Sequence, residues 1–160
     1  PNIDDYVKPF GLRLKPDTPL AAKGKHLYLD DSHCKPKTGG EKCCTWLKYG
    51  NKGKALSVYF TDRSIRLEAD VLRGFYVEKH KVKFEANVLV FHDMRCPKLD
   101  WSFNGDGSVS PLLYPWFALG VKDSNQIDDK SKVCLVYTHD MERKICFSLP
   151  KDTPRRWVAG

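Results

Sequence analysis

Between Lys81 and Met94 the side chains alternate in a way that an extended strand can use and a helix cannot. Every second residue from Val82 to Val90 is apolar, and the residues between them are charged or polar as far as Asn87. A period of two places one set of side chains on one face of a strand. From Leu89 onward both sets are apolar, which indicates cover on both faces. The segment therefore predicts the central strand of an antiparallel sheet.

The rest of the chain repeats this kind of signal in shorter runs. No stretch of a dozen residues has the apolar spacing of an amphipathic helix, and about eight to ten short β-forming runs follow one another closely. This pattern predicts an all-β, single-domain antiparallel β-sandwich or a barrel-like relative of it. Two hairpins are predicted, one joining 43–49 to 55–61 and the other joining 133–138 to 143–149.

Composition divides the chain into three parts. Residues 1–25 contain Pro9, Pro16 and Pro19 within the segment and show little periodicity, which predicts an extended N-terminal arm lying on the domain. Residues 26–150 form the predicted β-sandwich domain, and residues 151–160 form a basic C-terminal tail with Arg155 and Arg156. A chain of 160 residues is one domain of ordinary size. It contains no run of about 18 apolar residues, so no membrane span is expected.

The net charge is +7 and most of it comes from lysine. One interpretation is a soluble, lysine-rich surface; the other is attraction to an anionic macromolecule or an acidic protein. Aromatic and basic residues interleave on the first hairpin and beside the alternating segment, and such pairs can stack bases and hold phosphates. The candidate binding residues are Trp46, Lys48, Tyr49, Lys52, Lys54, Lys79, Lys81, Lys83, Arg155 and Arg156. The alternative is an ordinary sheet with a wet outer face.

The six cysteines leave the redox compartment open. His33, Cys34, Cys43 and Cys44 bracket a Gly-rich loop and are the candidate ligands of a zinc ion, which is the one cofactor that the sequence suggests. The ligand spacing is not the usual one, so a disulfide or free thiols are favoured. Cys134 and Cys146 face each other if the second hairpin pairs Tyr137 with Arg143, either as a disulfide or as two half-buried thiols.

Three further motifs carry chemistry, each with a structural alternative. Oxygen side chains from Asp100 to Asp106 resemble the start of a calcium loop, but Pro111 stands where the closing Glu is needed, so a β-turn is predicted. His92–Asp93 and His139–Asp140 could supply general bases, with Cys96 as a nucleophile, although strand-end His-Asp pairs are more often turn residues. Residues 114–117 (YPWF) are predicted as core, or as a protein-binding patch where exposed.

Together these patterns favour a non-catalytic recognition domain with a basic surface. Its partner is a protein or an anionic macromolecule, and specificity is expected in the loops Asp31–Lys42, Asn104–Ser110 and Lys122–Lys132. The first alternative is a nucleic-acid-binding β domain, whose binding weakens steeply with salt. The second is a hydrolytic enzyme that uses the strand-end His-Asp pairs. A secreted version would have oxidised cysteines and an intracellular version reduced ones; the oligomeric state stays open.

Overall fold

The computed structural model describes residues 9–11, 13–14, 20, 25–30, 45–61, 63–91, 99–123, 131–148 and 158–159. These residues form fourteen strands of two to six residues and no α-helix, which confirms the all-β prediction. The strands outnumber the eight to ten expected mainly because three of them, at residues 9–11, 13–14 and 158–159, lie in the predicted arm and tail. In order they are β1 (Pro9–Gly11), β2 (Arg13–Leu14), β3 (His26–Asp30), β4 (Thr45–Gly50), β5 (Ser57–Thr61), β6 (Ser64–Leu67), β7 (Phe75–Val77), β8 (Val88–Val90), β9 (Trp101–Asn104), β10 (Val109–Pro111), β11 (Phe117–Val121), β12 (Val133–Tyr137), β13 (Phe147–Ser148) and β14 (Val158–Ala159).

Strand pairing produces five small sheets. The largest has the order β3-β4-β8-β7, and two three-stranded sheets have the orders β1-β5-β6 and β10-β9-β14. The pairs β11–β12 and β13–β2 complete the set. The pairings are antiparallel except that of β14 with β9, which is parallel. The predicted antiparallel architecture is therefore present as several short sheets linked by single bridges.

One apolar cluster lies between these sheets and holds them together. It extends along the chain from Leu20 to Phe147 and includes Trp101, Phe103 and Leu135, each at most 2% exposed. The indole Nε1 of Trp101 donates to the carbonyl of Phe75 at 3.3 Å, so its one polar atom is satisfied inside the core. Full burial of each large side chain contributes roughly 2 kcal/mol, and this cluster is the main source of stability.

The predicted central strand is shorter than its sequence pattern. Among the described residues of this segment, 81–91, only Val88–Val90 forms a strand, and it lies inside a sheet, between β4 and β7. Residues Glu78–His80 form a 3-10 turn, and a second turn follows at Phe84–Glu85. Lys79 and Glu85 have φ values of 56° and 63°, which no strand residue adopts. Phe84, predicted to be buried, is 37% exposed.

The first predicted hairpin does not form. β4 is bonded to β3 on one edge and to β8 on the other, so neither edge is left for β5. The connection after β4 is held toward β3, because Nε2 of His26 donates to the carbonyls of Lys52 and Gly53 at 3.0 and 3.1 Å. β5 instead turns at Arg63 and pairs with β6, with Thr61 opposite Ser64.

The second predicted hairpin does not form either. β12 pairs with β11 along all five of its residues, and Cys134 also bridges to Asn87 on the other side. The returning segment pairs with the far edge of β11, where Ile145 donates to the carbonyl of Leu119 at 2.9 Å. Because β11 separates the two predicted partners, Cys134 and Cys146 are not joined in a disulfide; both are buried.

The described parts of the arm and the tail belong to the sheets. β1 pairs with β5, β2 pairs with β13, and the side chain of Leu20 is 1% exposed within the core. β14 lies beside β9. In the described residues we find no helix with the length and apolar character needed to cross a membrane.

Candidate recognition surface

Four aromatic side chains share one exposed region, which we call the aromatic surface: Phe84, Trp116, Tyr137 and His139. Trp116 is 52% exposed and Tyr137 is 39% exposed, although both are large side chains that a core would normally bury. Leu113, three residues before Trp116, and Met141, two residues after His139, are also exposed, at 79% and 64%. Isolated exposed apolar residues are common, whereas a contiguous group joined by ring contacts is a candidate for an interaction site.

The pairing of β11 with β12 creates this group. Phe117 at the start of β11 lies opposite Tyr137 at the end of β12, and their rings are stacked with centroids 5.6 Å apart. Trp116 precedes Phe117, and its ring lies 6.2 Å from that of Phe117. The turn before β11 is tied to the end of β12, because the amide of Thr138 donates to the carbonyl of Trp116 at 2.8 Å.

Phe84 is brought to Tyr137 by the backbone around it. The amide of Glu85 donates to the carbonyl of Leu135 at 2.8 Å, and the amide of Leu135 donates to Ala86 at 2.9 Å. These bonds place the ring of Phe84 on that of Tyr137, with centroids 4.6 Å apart and planes 13° from parallel. The ring of His139 also stacks on Tyr137, at 5.4 Å. Tyr137 is therefore the centre of a stack of aromatic rings.

Arg143 fixes the edge of this stack. Its guanidinium lies 5.4 Å from the ring centroid of Phe84, within the range of a cation–π interaction. The same group pairs with Glu85 at 3.0 Å, and its Nε donates to the carbonyl of Val121 at 3.1 Å. The backbone amide of Arg143 donates to the carboxylate of Asp140 at 3.2 Å. The turn that carries His139 and Met141 is consequently held at both ends.

A buried lysine supports that turn from inside. Lys144 is 4% exposed, and its ammonium forms an ion pair with Asp106 and donates to the carbonyl of Thr138 at 2.9 Å. Burial alone would raise the pKa of Asp106, but hydrogen bonds from Lys144 and Ser108 outweigh it and lower the pKa to about 2. Asp106 lies in the Asn104–Ser110 turn, so this predicted specificity loop anchors the aromatic surface.

The residues of the calcium-like motif form the predicted β-turn. The amide of Asn104 donates to the carbonyl of Ser108 at 2.8 Å, and the amide of Gly107 donates to the carbonyl of Asn104 at 3.0 Å. Gly107 has a φ of 91°, which suits glycine. The amide group of Asn104 donates to the hydroxyls of Ser108 and Ser110 at 2.8 and 2.7 Å. These side chains bond to one another across the hairpin of β9 and β10.

The first predicted cluster of binding residues is largely internal. Lys48 is 7% exposed and pairs with Asp30 at 2.6 Å, and Tyr49 is fully buried, with its hydroxyl donating to the carbonyl of Leu20 at 3.2 Å. Burial raises the pKa of Tyr49. Trp46 is half-buried, and the ammonium of Lys132 lies 3.8 Å from its ring centroid. Neither Lys48 nor Tyr49 presents its polar end to a ligand, because β4 is an interior strand.

The remaining predicted lysines are at the surface. Lys52 and Lys54 are exposed on the connection between β4 and β5, and Lys79, Lys81 and Lys83 are exposed on the segment before Phe84. The structure therefore separates the predicted lysines into two groups, and only the second belongs to the chain segment that carries Phe84. Arg155 and Arg156 lie outside the described residues.

Of the residues in the zinc and catalytic hypotheses, only His139 and Asp140 are among those that the structure describes. His33, Cys34, Cys43, Cys44, His92, Asp93 and Cys96 lie outside them. Inside them, no group of three or more metal-binding side chains is found. Asp140 is within 3.9 Å of the guanidinium of Arg143, and His139 stacks on Tyr137. Burial raises the pKa of the Cys134 thiol to about 11, so this thiol is protonated at neutral pH.

Sequence reasoning missed the centre of the surface, Phe84 and Tyr137, because both fall inside runs that resemble strands. A signal for Phe84 was available: from Glu78 to Glu85 six of the eight residues are charged or histidine, and such residues are poor strand formers. The 114–117 motif, predicted as core or as an exposed patch, contains both: Phe117 is buried and Trp116 is exposed.

Comparison with protein-family models, with curated proteins and with solved structures finds no match to this chain.

Proposed function

We propose that this protein is a non-catalytic recognition domain that binds a protein partner through the aromatic surface. The observation that carries the proposal is the exposure of Trp116, Tyr137 and Phe84, which are linked by ring contacts through Phe117. Leu113 and Met141, nearby in sequence, are exposed as well. Tryptophan and tyrosine are enriched among the residues that supply most of the binding energy of protein interfaces. Rigid aromatic rings bury a large area with little loss of side-chain entropy, which suits this role.

The rigidity of the surface supports the same function. Phe84, Arg143 and Glu85 hold one another through ring and ion-pair contacts, and Lys144 secures the turn that carries His139 and Met141. A surface that is already ordered loses less entropy when it binds a partner. The support comes from side chains and backbone bonds of the sheets, rather than from long loops.

The stacked rings favour a protein over single-stranded nucleic acid. Base stacking requires an open ring face, but Tyr137 is stacked by Phe84, Phe117 and His139 at 4.6 to 5.6 Å. The only arginine in contact with the surface rings of the described residues, Arg143, is engaged by Glu85 and Asp140. Leu113, at 79% exposed, adds apolar area that a protein partner can bury but has no group that pairs with a phosphate.

Site-specific photo-crosslinking tests the proposal in the intact protein. A photo-reactive amino acid replaces Leu113 in one variant and Val71, which is 54% exposed on the turn after β6, in a matched control. Mixed with an extract of the producing cells, the Leu113 variant is expected to form a discrete protein adduct that the Val71 variant does not form. Equal adducts at both positions, or none at position 113, would contradict the proposal.

A further inference from the structure

The segment that presents Phe84 also presents three lysines. Lys79, Lys81 and Lys83 are all exposed, and none forms an ion pair with another described residue. The two acidic residues beside them are occupied: Glu78 accepts a hydrogen bond from Asn87 at 2.8 Å, and Glu85 pairs with Arg143 at 3.0 Å. Within the part of the chain that the structure describes, no carboxylate is paired with these lysines.

Two residues of this segment adopt a backbone conformation that is unusual for residues other than glycine. Lys79 and Glu85, at the two ends of the segment, both have φ near 60°, a region that non-glycine residues seldom adopt. Bonds from Glu78 to the carbonyl of Asn87 and from Glu85 to the carbonyl of Leu135 maintain it, at 2.9 and 2.8 Å. Strained backbone of this kind is concentrated at functional sites, where the surrounding structure enforces it.

From these observations we infer that the partner contributes an acidic segment that carries an aromatic or aliphatic residue. Its apolar side chain packs on the aromatic surface, and its carboxylates face Lys79, Lys81 and Lys83. Charge complementarity selects this occupant, because potentials of opposite sign steer association and exclude wrong partners. The inference rests on the proposed function, since it specifies the partner of the same surface.

Selection of peptides from a displayed random library tests the inference with an unbiased probe. The intact protein is the target, and recovered peptides are expected to be enriched in Asp and Glu next to an aromatic or aliphatic residue. A synthetic form of the most enriched peptide should lose about tenfold in affinity when all three lysines are changed to glutamine, since each rim charge contributes modestly. Lys52→Gln with Lys54→Gln is the matched control and should leave the affinity unchanged.

The outcomes separate this inference from the proposed function. Peptides with no acidic enrichment, or with affinity unaffected by the lysine changes, overturn the acidic occupant and leave the surface proposal standing. Peptides that bind the Trp116→Ser variant as tightly as the wild type overturn both. Recovery of no binding peptide, or tighter binding of oligothymidylate that depends on the same lysines, also overturns the inference.

Discussion

The two halves of the segment from Lys81 to Val90 share one sequence pattern and have opposite environments. In the second half, Val88 and Val90 are fully buried in the middle of a four-stranded sheet. In the first half, Phe84 stands on a turn at the surface beside two exposed lysines. Alternation therefore becomes a strand only where neighbouring strands offer free edges. β4 and β7 pair with residues of β8 and with none of residues 81–86.

An aspartate introduced into each half of the segment should lower the free energy of unfolding by very different amounts. Val88→Asp buries a carboxylate without a partner and should cost about 4 kcal/mol of unfolding free energy, or prevent folding. Phe84→Asp removes a ring contact at an exposed site and should cost about 1 kcal/mol. Urea denaturation of both variants measures the two costs. Similar large losses in both would mean that the alternating segment is one continuous buried strand.

The two regions are stabilised differently. Apolar packing stabilises β8, whereas the ion pair of Asp106 with Lys144 supports the aromatic surface. Asp106→Asn should cost roughly 1 to 2 kcal/mol at neutral pH, because the buried Lys144 loses its counter-charge while the 43% exposure of Asp106 weakens the pair. The pKa of Asp106 is lowered from 3.8 to about 2. Its contribution is therefore complete above about pH 4 and is lost as the pH falls through 2.

Acid denaturation of the wild type and the variant measures this contribution. The difference in unfolding free energy between them should be constant from neutral pH to about pH 4 and should shrink below it. Val88→Ala serves as the packing control, since its cost should not change over the same range. A wild-type advantage over Asp106→Asn that persists unchanged to pH 2 would show that the carboxylate is not stabilised by Lys144.

The smallest expected effect is a gain in stability. Lys79 adopts a left-handed conformation that costs a non-glycine residue about 1 kcal/mol, and glycine adopts it freely. After the entropy of glycine in the unfolded chain is subtracted, Lys79→Gly should stabilise the fold by roughly 0.5 kcal/mol. Lys81→Gly, at a φ of −109°, should destabilise it instead. Thermal denaturation of both variants gives the signs, and a loss of stability in Lys79→Gly would contradict the left-handed turn.

Local pattern predicted the class of fold and several strands, but not their partners. The run HLYLD became β3 over the residues expected, and SIRLEA became β6 with the buried residues Ile65 and Leu67. Pairing depends on which edges are already occupied, and that is set by residues far away in sequence. The two predicted hairpins failed for this reason, since β4 and β12 each have neighbours on both sides.

The candidate surface was predictable in its parts and not in its assembly. Trp116 and the lysines from Lys79 to Lys83 were singled out from the sequence as possible recognition elements. Their meeting with Tyr137 depends on the register of β11 and β12 and on the bond from Glu85 to Leu135. No local pattern encodes those contacts, because they join residues between 12 and 50 positions apart.

Hydrogen exchange of the backbone amides tests the central contrast most directly. The amides of Val82, Lys83 and Phe84 donate to no backbone carbonyl of another described residue, whereas Val88–Val90 lies in a ladder with strands on both sides. Exchange should therefore be fast from Val82 to Phe84 and slow from Val88 to Val90, where only global unfolding exposes the amides. Uniform slow exchange from Val82 to Val90 would contradict the account, because it would mean that Phe84 lies in a strand and the aromatic surface is not presented by a turn.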